Sequence, residues 1–404
     1  MTTDDSTLEN RKMAKVRVES LRFTRLKLTN WRNFRRTDIS FQRRAFIIGP
    51  NASGKSNLLD AIRFLAEIAT AGSGGLQAAV KKRDSRGGLT EIRCVHARDP
   101  SYVELDICVG RDDDPEVWRY LLQIKIVKPN KFPLITIESI WFRGKLQDRR
   151  ELTNGSDPLE FSQTHLEQAG ANKDFRELAE FLASCRYLHV VPQIVRDRAR
   201  GKADGDDPFG GDLLRRMKDT PKKFRDPRLR RISKALKLAV PQFVDLQLKD
   251  DSEGVPHLYA SYEHWRANVS LQSESAFSDG TIRLIGLLWS IAEKGGPLLL
   301  EEPELSLNDA VVNELPRMFS TMQKYSARQV ITTTHSLSLL NGEDIGLREV
   351  HRIIVDGNGS HVVTLADEPV IVAEVENETT IGQAVSPLLR PKGIEKLGLL
   401  DVAN

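Results

Sequence analysis

The sequence predicts an α/β fold with an antiparallel β-meander lobe and an inserted basic helical lobe. Three observations carry that prediction. A glycine-rich turn, G-P-N-A-S-G-K-S over 49–56, joins an apolar strand to an amphipathic helix. Four β-like runs with short polar links follow, with no helices between them, which is the pattern of a meander and not of βαβ units. From Phe277 onward, strands and helices alternate again.

The elements follow in order. L-R-F-T-R-L-K-L from Leu21 alternates apolar and basic residues, the period of a strand with one buried face. A second strand is expected over 39–48, ending in Phe46-Ile47-Ile48. The helix after the turn runs over 54–70, with Leu58, Leu59, Ile62, Leu65 and Ile68 at helical spacing. Residues 71–90, rich in Gly, Ser, Lys and Arg, read as a loop. The meander runs are 91–96, 102–109, 118–127 and 134–142. A helix is expected over 175–185, a short strand over 187–191, and a basic helix over 228–238 whose apolar stripe is Leu229, Ile232 and Leu236. Then come a helix at 281–293, a buried strand at 297–300, a helix at 308–324, a β-branched strand at 329–334 and a hairpin at 351–355 and 361–365 turning on D-G-N-G.

The chain has 404 residues, 40% hydrophobic and 28% charged, enough for two packed units or one large fold with a lobe. No run approaches the roughly 20 apolar residues of a membrane span. The start, MTTDDSTLENRK, is polar and lacks an apolar h-region, so no secretory signal is expected. Cys94, Cys108 and Cys185 have neither metal nor redox spacing and are expected to be reduced thiols of a cytoplasmic protein. The net charge of +3 hides an uneven distribution. Residues 11–44 hold twelve Lys/Arg against two Asp/Glu, and residues 196–237 hold fifteen against seven. Such blocks are either solvated faces with ion pairs or the footprint of a polyanion-binding surface.

Four motifs carry chemistry. Gly49-Pro50-Asn51-Ala52-Ser53-Gly54-Lys55-Ser56 fits G-x-x-x-x-G-K-[ST] between strand and helix, and the cradle extends through Asn57. Backbone N–H groups turned into such a loop hold phosphate oxygens, Lys55 supplies a point charge, and the Ser56 hydroxyl is a Mg²⁺ ligand. These requirements make ATP and Mg²⁺ the expected cofactors. L-L-L-E-E-P-E over 298–304 ends a buried strand with two carboxylates: Glu301 for Mg²⁺, Glu302 to orient and deprotonate the attacking water. V-I-T-T-T-H puts His335 at the end of the next strand, where a neutral imidazole can hydrogen-bond the γ-phosphate or the water. Ser278, Asp279 and Gly280 open an apolar helix whose free N–H groups can take a phosphate, although an N-cap alone gives the same pattern.

In this order the motifs resemble ABC-type ATPase heads, in the branch with SMC, RecF and OLD-like proteins. L-K-L-T-N-W-R-N-F over 26–34 resembles that branch's first strand, and G-P-N-A-S-G-K-S-N-L-L-D-A-I over 49–62 its phosphate loop. The resemblance implies a P-loop NTPase head that dimerises head to tail around two ATP molecules. Ser278, Asp279 and Gly280 would then reach the other subunit's γ-phosphate, and Leu305–Asp309 would be the D-loop. It also implies a glutamine that senses Mg²⁺ and γ-phosphate near the end of the meander. Gln163 is the candidate, with Gln168 and Gln193 behind it. The sequence departs from the family at S-D-G-T, at Glu301 in place of Asp, and at Asn308-Asp309 in place of His-Pro.

The expected organisation is a tail over 1–20, the N-terminal half of the head over 21–150, the inserted lobe over 151–275, the C-terminal half over 276–365 and an extension over 366–404. That extension is too short for the Toprim nuclease of OLD proteins, so no nuclease is expected in this chain. The expectation is an ATPase that closes on ATP as a homodimer, binds or senses DNA, and controls a separately encoded effector such as a nuclease, in anti-phage defence. A RecF-like repair ATPase and an ATP-bound scaffold restraining a toxic partner are the alternatives. The signature and the basic insert argue against a membrane transporter subunit.

Overall fold

The computed structural model describes residues 21–84, 88–97, 101–127, 132–197, 207–263, 270–342, 344–390 and 393–394. The expected tail, residues 198–206 of the basic interval and residues 395–404 lie outside the described residues. In chain order the elements are β1 (Arg22–Trp31), β2 (Phe34–Ser40), β3 (Arg44–Ile48), α1 (Lys55–Ala69), α2 (Gly75–Arg83), β4 (Val103–Gly110), β5 (Trp118–Ile126), β6 (Pro133–Phe142) and β7 (Lys145–Glu151). There follow α3 (Arg176–Ala183), β8 (Arg186–Leu188), α4 (Pro192–Val195), α5 (Leu213–Asp219), α6 (Lys222–Ala239), β9 (Phe243–Asp250), β10 (Pro256–Tyr262) and β11 (Ser270–Ser273). The chain goes on through α7 (Asp279–Ala292), β12 (Leu298–Glu301), α8 (Asp309–Ser326), β13 (Val330–Thr334), α9 (Leu337–Leu340), β14 (Val350–Asp356), β15 (Gly359–Thr364), α10 (Pro369–Glu376) and α11 (Ile381–Leu389).

A twelve-stranded sheet in the order β7-β6-β5-β4-β1-β2-β15-β14-β3-β13-β12-β8 forms the frame. Its first half, β7 to β2, is an antiparallel meander. In the second half β14, β3, β13, β12 and β8 run parallel to one another, while β15 pairs antiparallel with β14. Strands buried on both faces read as continuous apolar runs, and here alternate residues serve two separate cores. Ala45, Ile47, Leu299 and Ile331 pack with Leu58, Leu59, Ile62 and Leu65 of α1. Phe46, Ile48, Leu298, Leu300 and Val330 pack with Ile285, Leu288 and Trp289 of α7 and Leu315 and Phe319 of α8.

The structure corrects several sequence-based expectations. The strand expected over 39–48 is two strands: β2 pairs with β1, the chain turns at Phe41-Gln42-Arg43, and β3 joins the parallel half. The run at 91–96 alternates like a strand but makes a single bridge, Trp31 to Arg93. β1 already pairs on both sides, with β2 and β4, so it offers that run no free ladder. The expected loop at 71–90 contains α2. Three cations in its last turn complement the helix dipole, and buried Arg83 pairs with Asp60 at 2.7 Å and Glu67 at 2.6 Å. β7 extends the meander by a strand. The lobe expected as helical also holds a small antiparallel sheet, β11-β10-β9, against α6, and β8 within it joins the main sheet.

Candidate functional site

The parallel strands β3, β13 and β12 end side by side, and their C-terminal ends hold the titratable groups. β3 runs into the 49–56 turn, which α1 closes. Gly54 caps α1 at φ 104°, and a Cβ there would lie 2.0 Å from the Asn33 amide nitrogen. Only glycine permits both that dihedral and that approach. The turn is stitched from outside. Asn33 donates to the Ser53 carbonyl at 2.6 Å, and the Ser360 hydroxyl donates to the same carbonyl at 2.9 Å. Asn57 donates to the Asn33 side-chain oxygen at 2.8 Å, and the Trp31 indole donates to the Asn57 carbonyl at 2.8 Å. Lys55 Nζ donates to the carbonyls of Gly49 at 2.9 Å and Pro50 at 3.0 Å. Burial pushes the Lys55 ammonium down to about 8, against the pull of Glu302, Glu301 and Glu304.

Ser56 Oγ donates to Glu301 Oε1, so the first helical turn and the end of β12 share one hydrogen bond. Burial raises the Glu301 carboxyl above its usual range. Glu302, next in sequence, has φ 44°, a left-handed conformation that costs a non-glycine residue about 1–3 kcal/mol. Its N–H is held by the Thr333 carbonyl at 3.1 Å, and its Oε1 lies 2.6 Å from His335 Nε2. Burial and the nearby Lys55 lower the His335 imidazole, with Glu302 opposing, so a neutral ring donates its Nε2–H to the carboxylate. Glu304 accepts from the Thr334 hydroxyl at 2.6 Å and the His335 N–H at 3.0 Å, which locks the strand ends together.

The 278–280 segment begins α7. Ser278 caps it, accepting from the Thr281 N–H at 3.2 Å. A Cβ on Gly280 would lie 2.3 Å from the Ser306 carbonyl, so glycine lets the 305–309 segment lie against the helix start. Asn308 caps α8, accepting from the Ala310 N–H at 2.9 Å. Asp279 is held by Arg196 at 2.8 Å and by Gln193 at 3.3 Å.

The residues present fit a magnesium nucleotide. Ser53 Oγ and Glu304 Oε2 are buried and carry no hydrogen bond. Ser56 and Glu301 supply two hard oxygen donors, and no larger group of metal-ligating side chains is found among the described residues. Two protein oxygens suit an ion that keeps waters and substrate phosphates in its remaining positions.

A family model described as "AAA domain, putative AbiEii toxin, Type IV TA system" matches residues 44–341. The chain belongs to this AAA family. Among solved structures, an SMC head bound to the C-terminal winged-helix domain of ScpA is similar over 84% of this chain and 97% of that one, at 17% identity and a TM-score of 0.54. An SMC head with an extended coiled coil from Pyrococcus furiosus aligns over 88% and 100% at 16% identity and a TM-score of 0.49. One from Thermotoga maritima aligns over 85% and 98% at 15% identity and a TM-score of 0.45. No curated protein sequence matches the chain. The AAA domain therefore has the SMC-head type of P-loop NTPase fold, as the resemblance implied.

Within this AAA domain the structure brings Lys55, Ser56, Glu301, Glu302 and His335 into one site, with Ser278, Asp279 and Gly280 at the nearby helix start. Gln163 is a correction. It is exposed in the segment after β7, and its carbonyl takes Arg150 from the outer edge of the meander, far across the sheet from β12. Gln168 lies on the same segment. Gln193 instead follows β8, the strand beside β12, and reaches Asp279. His189, between them, donates from Nδ1 to the Glu301 carbonyl at 3.2 Å. Sequence reasoning missed Asn33 and Ser360 as supports of the loop. The only sign of Asn33 was its place in the first-strand string, and Ser360 gave none.

Proposed function

We propose that this chain is a Mg²⁺-dependent ATPase that closes head to tail on ATP, meets DNA through its basic lobe and gates a separately encoded effector. The observation that supports it best is the meeting of Ser56 with Glu301 and of His335 with Glu302 at the ends of adjacent parallel strands. Lys55 binds the terminal phosphates in place of the two carbonyls it now holds, and the Asn33–Ser360 stitch keeps the loop N–H groups aimed inward. Ser56 and Glu301 hold Mg²⁺. When bound there, the ion would supply electrostatic stabilisation of the phosphate oxygens and the leaving group. Glu302 orients the attacking water and takes its proton, and His335 holds the Glu302 carboxylate in place until it turns to the γ-phosphate. Ser278 to Gly280 offer a capped helix start to the partner's γ-phosphate.

Two surfaces competed for the polyanion, and α6 is the better supported. Arg22 and Arg43 pair with Asp112, Arg25 with Asp38, Arg32 with Asp60 and Arg44 with Glu349, so much of the N-terminal block serves the fold. On α6 Lys222, Lys223, Arg230, Arg231, Lys234 and Lys237 are exposed, and no carboxylate pairs with them among the described residues. α6 packs on α7, with Arg228 5.4 Å from the Trp289 ring, which links this face to the helix of Ser278. The toxin–antitoxin wording of the family description supports a partnered effector, and phage defence is the setting proposed. The test is the ATPase rate with and without double-stranded DNA, beside Glu302→Gln and a charge reversal of Arg230, Arg231 and Lys234. DNA-stimulated turnover, abolished by Glu302→Gln and made insensitive to DNA by the reversal, is the expected result. A rate indifferent to DNA removes the DNA reading.

A further inference from the structure

Arg283 lies on α7, one turn beyond Asp279, and plays no part in the chemistry described above. It lines a small cavity with Val190, Leu300, Glu301, Glu302 and Pro303. Its Nε is buried and makes no hydrogen bond, and no carboxylate pairs with it among the described residues. Burial lowers its guanidinium from the ordinary arginine value, while the charges of Asp279 and Glu302 oppose that. The side chain is half-buried, and a buried guanidinium N–H left without an acceptor is uncommon in native structures unless something else completes it.

Of the two carboxylates that act on Arg283, Asp279 is already engaged at both oxygens, by Arg196 at Oδ1 and Gln193 at Oδ2. Glu302 is engaged at one, by His335. His335 serves two tasks that conflict. While it donates to Glu302 it is not free to face the γ-phosphate, and once it turns to the phosphate the Glu302 carboxylate loses the one side-chain partner it has among the described residues. A cation one helix away, in the same cavity, resolves the conflict.

We propose that Arg283 is a positioning residue for Glu302: it takes over the carboxylate when His335 turns to the phosphate and holds it against the attacking water. α7 starts at Ser278, so the helix that meets the partner's nucleotide carries the cation that steadies the base. Engagement across the dimer thereby sets the geometry of Glu302 in the same chain. The proposal rests on the reading of Glu302 as general base.

The experiment compares ATP binding and steady-state turnover of the full chain for wild type, Arg283→Met, Arg283→Lys and Glu302→Gln, with thermal melts of each. The expected result is a kcat for Arg283→Met lowered about tenfold or more, with KM and ATP affinity within about twofold of wild type, because the lost contact is made in the transition state. Arg283→Lys restores most of the rate, since charge and not shape is required. If Glu302→Gln still turns over, the base reading falls and takes this inference with it. If Glu302→Gln is inactive while Arg283→Met matches wild type, only the inference falls. A lysine variant as slow as the methionine variant, or a loss confined to KM, also overturns it. Should Arg283→Met fold poorly, Arg283→Gln carries the same comparison.

Discussion

Two sites, one in each half of the main sheet, treat buried charge in opposite ways. In the antiparallel half, Glu138 is fully buried on β6, and every side of it is satisfied. Arg150 donates to it at 2.6 and 2.8 Å, the Tyr120 hydroxyl at 2.9 Å and the His165 N–H at 3.0 Å. Tyr120, buried beside that carboxylate, is pushed well above its ordinary value. In the parallel half, Lys55 leans on carbonyls, Glu302 sits in a left-handed conformation, and Ser53, Glu304 and Arg283 each keep a buried polar atom without a hydrogen bond. A closed network specifies a structure, while an open one is completed by something the chain does not contain. The contrast separates a closed site that serves stability from the open one proposed to carry chemistry.

The strongest way to break the comparison is at its open end. Glu302→Gln should lower turnover by about 10²–10⁴-fold, the range for loss of a general base, while the melting temperature stays put. A large thermal shift would mean that Glu302 belongs to the closed kind of network. At the other end, Arg150→Met leaves Glu138 buried and unpaired and should cost about 3–5 kcal/mol in a denaturant titration. ATP affinity of the folded fraction should be unchanged.

His351, on β14 where the halves meet, sharpens the line between them. Its ring packs edge-on to Phe41, and burial pushes it down to about 4. A histidine depressed in the folded state leaves the unfolded chain binding more protons between pH 6.5 and about 4. Stability is therefore full above about pH 6.5, falls as pH drops, and is lower by about 3 kcal/mol near pH 4. Urea titrations across that range check the sign, and His351→Phe should flatten the slope. The smallest effect is expected at the stitch between halves. Asn33→Ala removes three side-chain hydrogen bonds and should cost about 1–3 kcal/mol, with a parallel loss of ATP affinity. A loss in stability alone would make Asn33 a fold residue only.

The parts of this molecule that were legible in the sequence are those governed by local rules. The 49–56 turn announces itself because strand, glycine spacing and helix are contiguous, and L-L-L-E-E-P and V-I-T-T-T-H because a β-branched or apolar run ends in a polar residue. α2 was hidden because its stripe of Leu76, Ala79 and Val80 is short and its cations resemble a loop. The run at 91–96 misled because periodicity says nothing about whether a neighbouring strand still has an open edge. Gln163 misled for a related reason: nearness in sequence to the meander's end says nothing about which strand lies beside β12. Ser360 and Arg283 depend on long-range packing, which no window of sequence contains.

The stitch on the phosphate loop has a consequence for how the chain is made. The Ser53 carbonyl takes one hydrogen bond from Asn33, 20 residues before it, and another from Ser360, 307 residues after it. On the ribosome, the loop emerges early and its last support emerges far later. A nascent chain thus holds the loop by the Asn33 hydrogen bond alone until the β14–β15 hairpin has been made and docked.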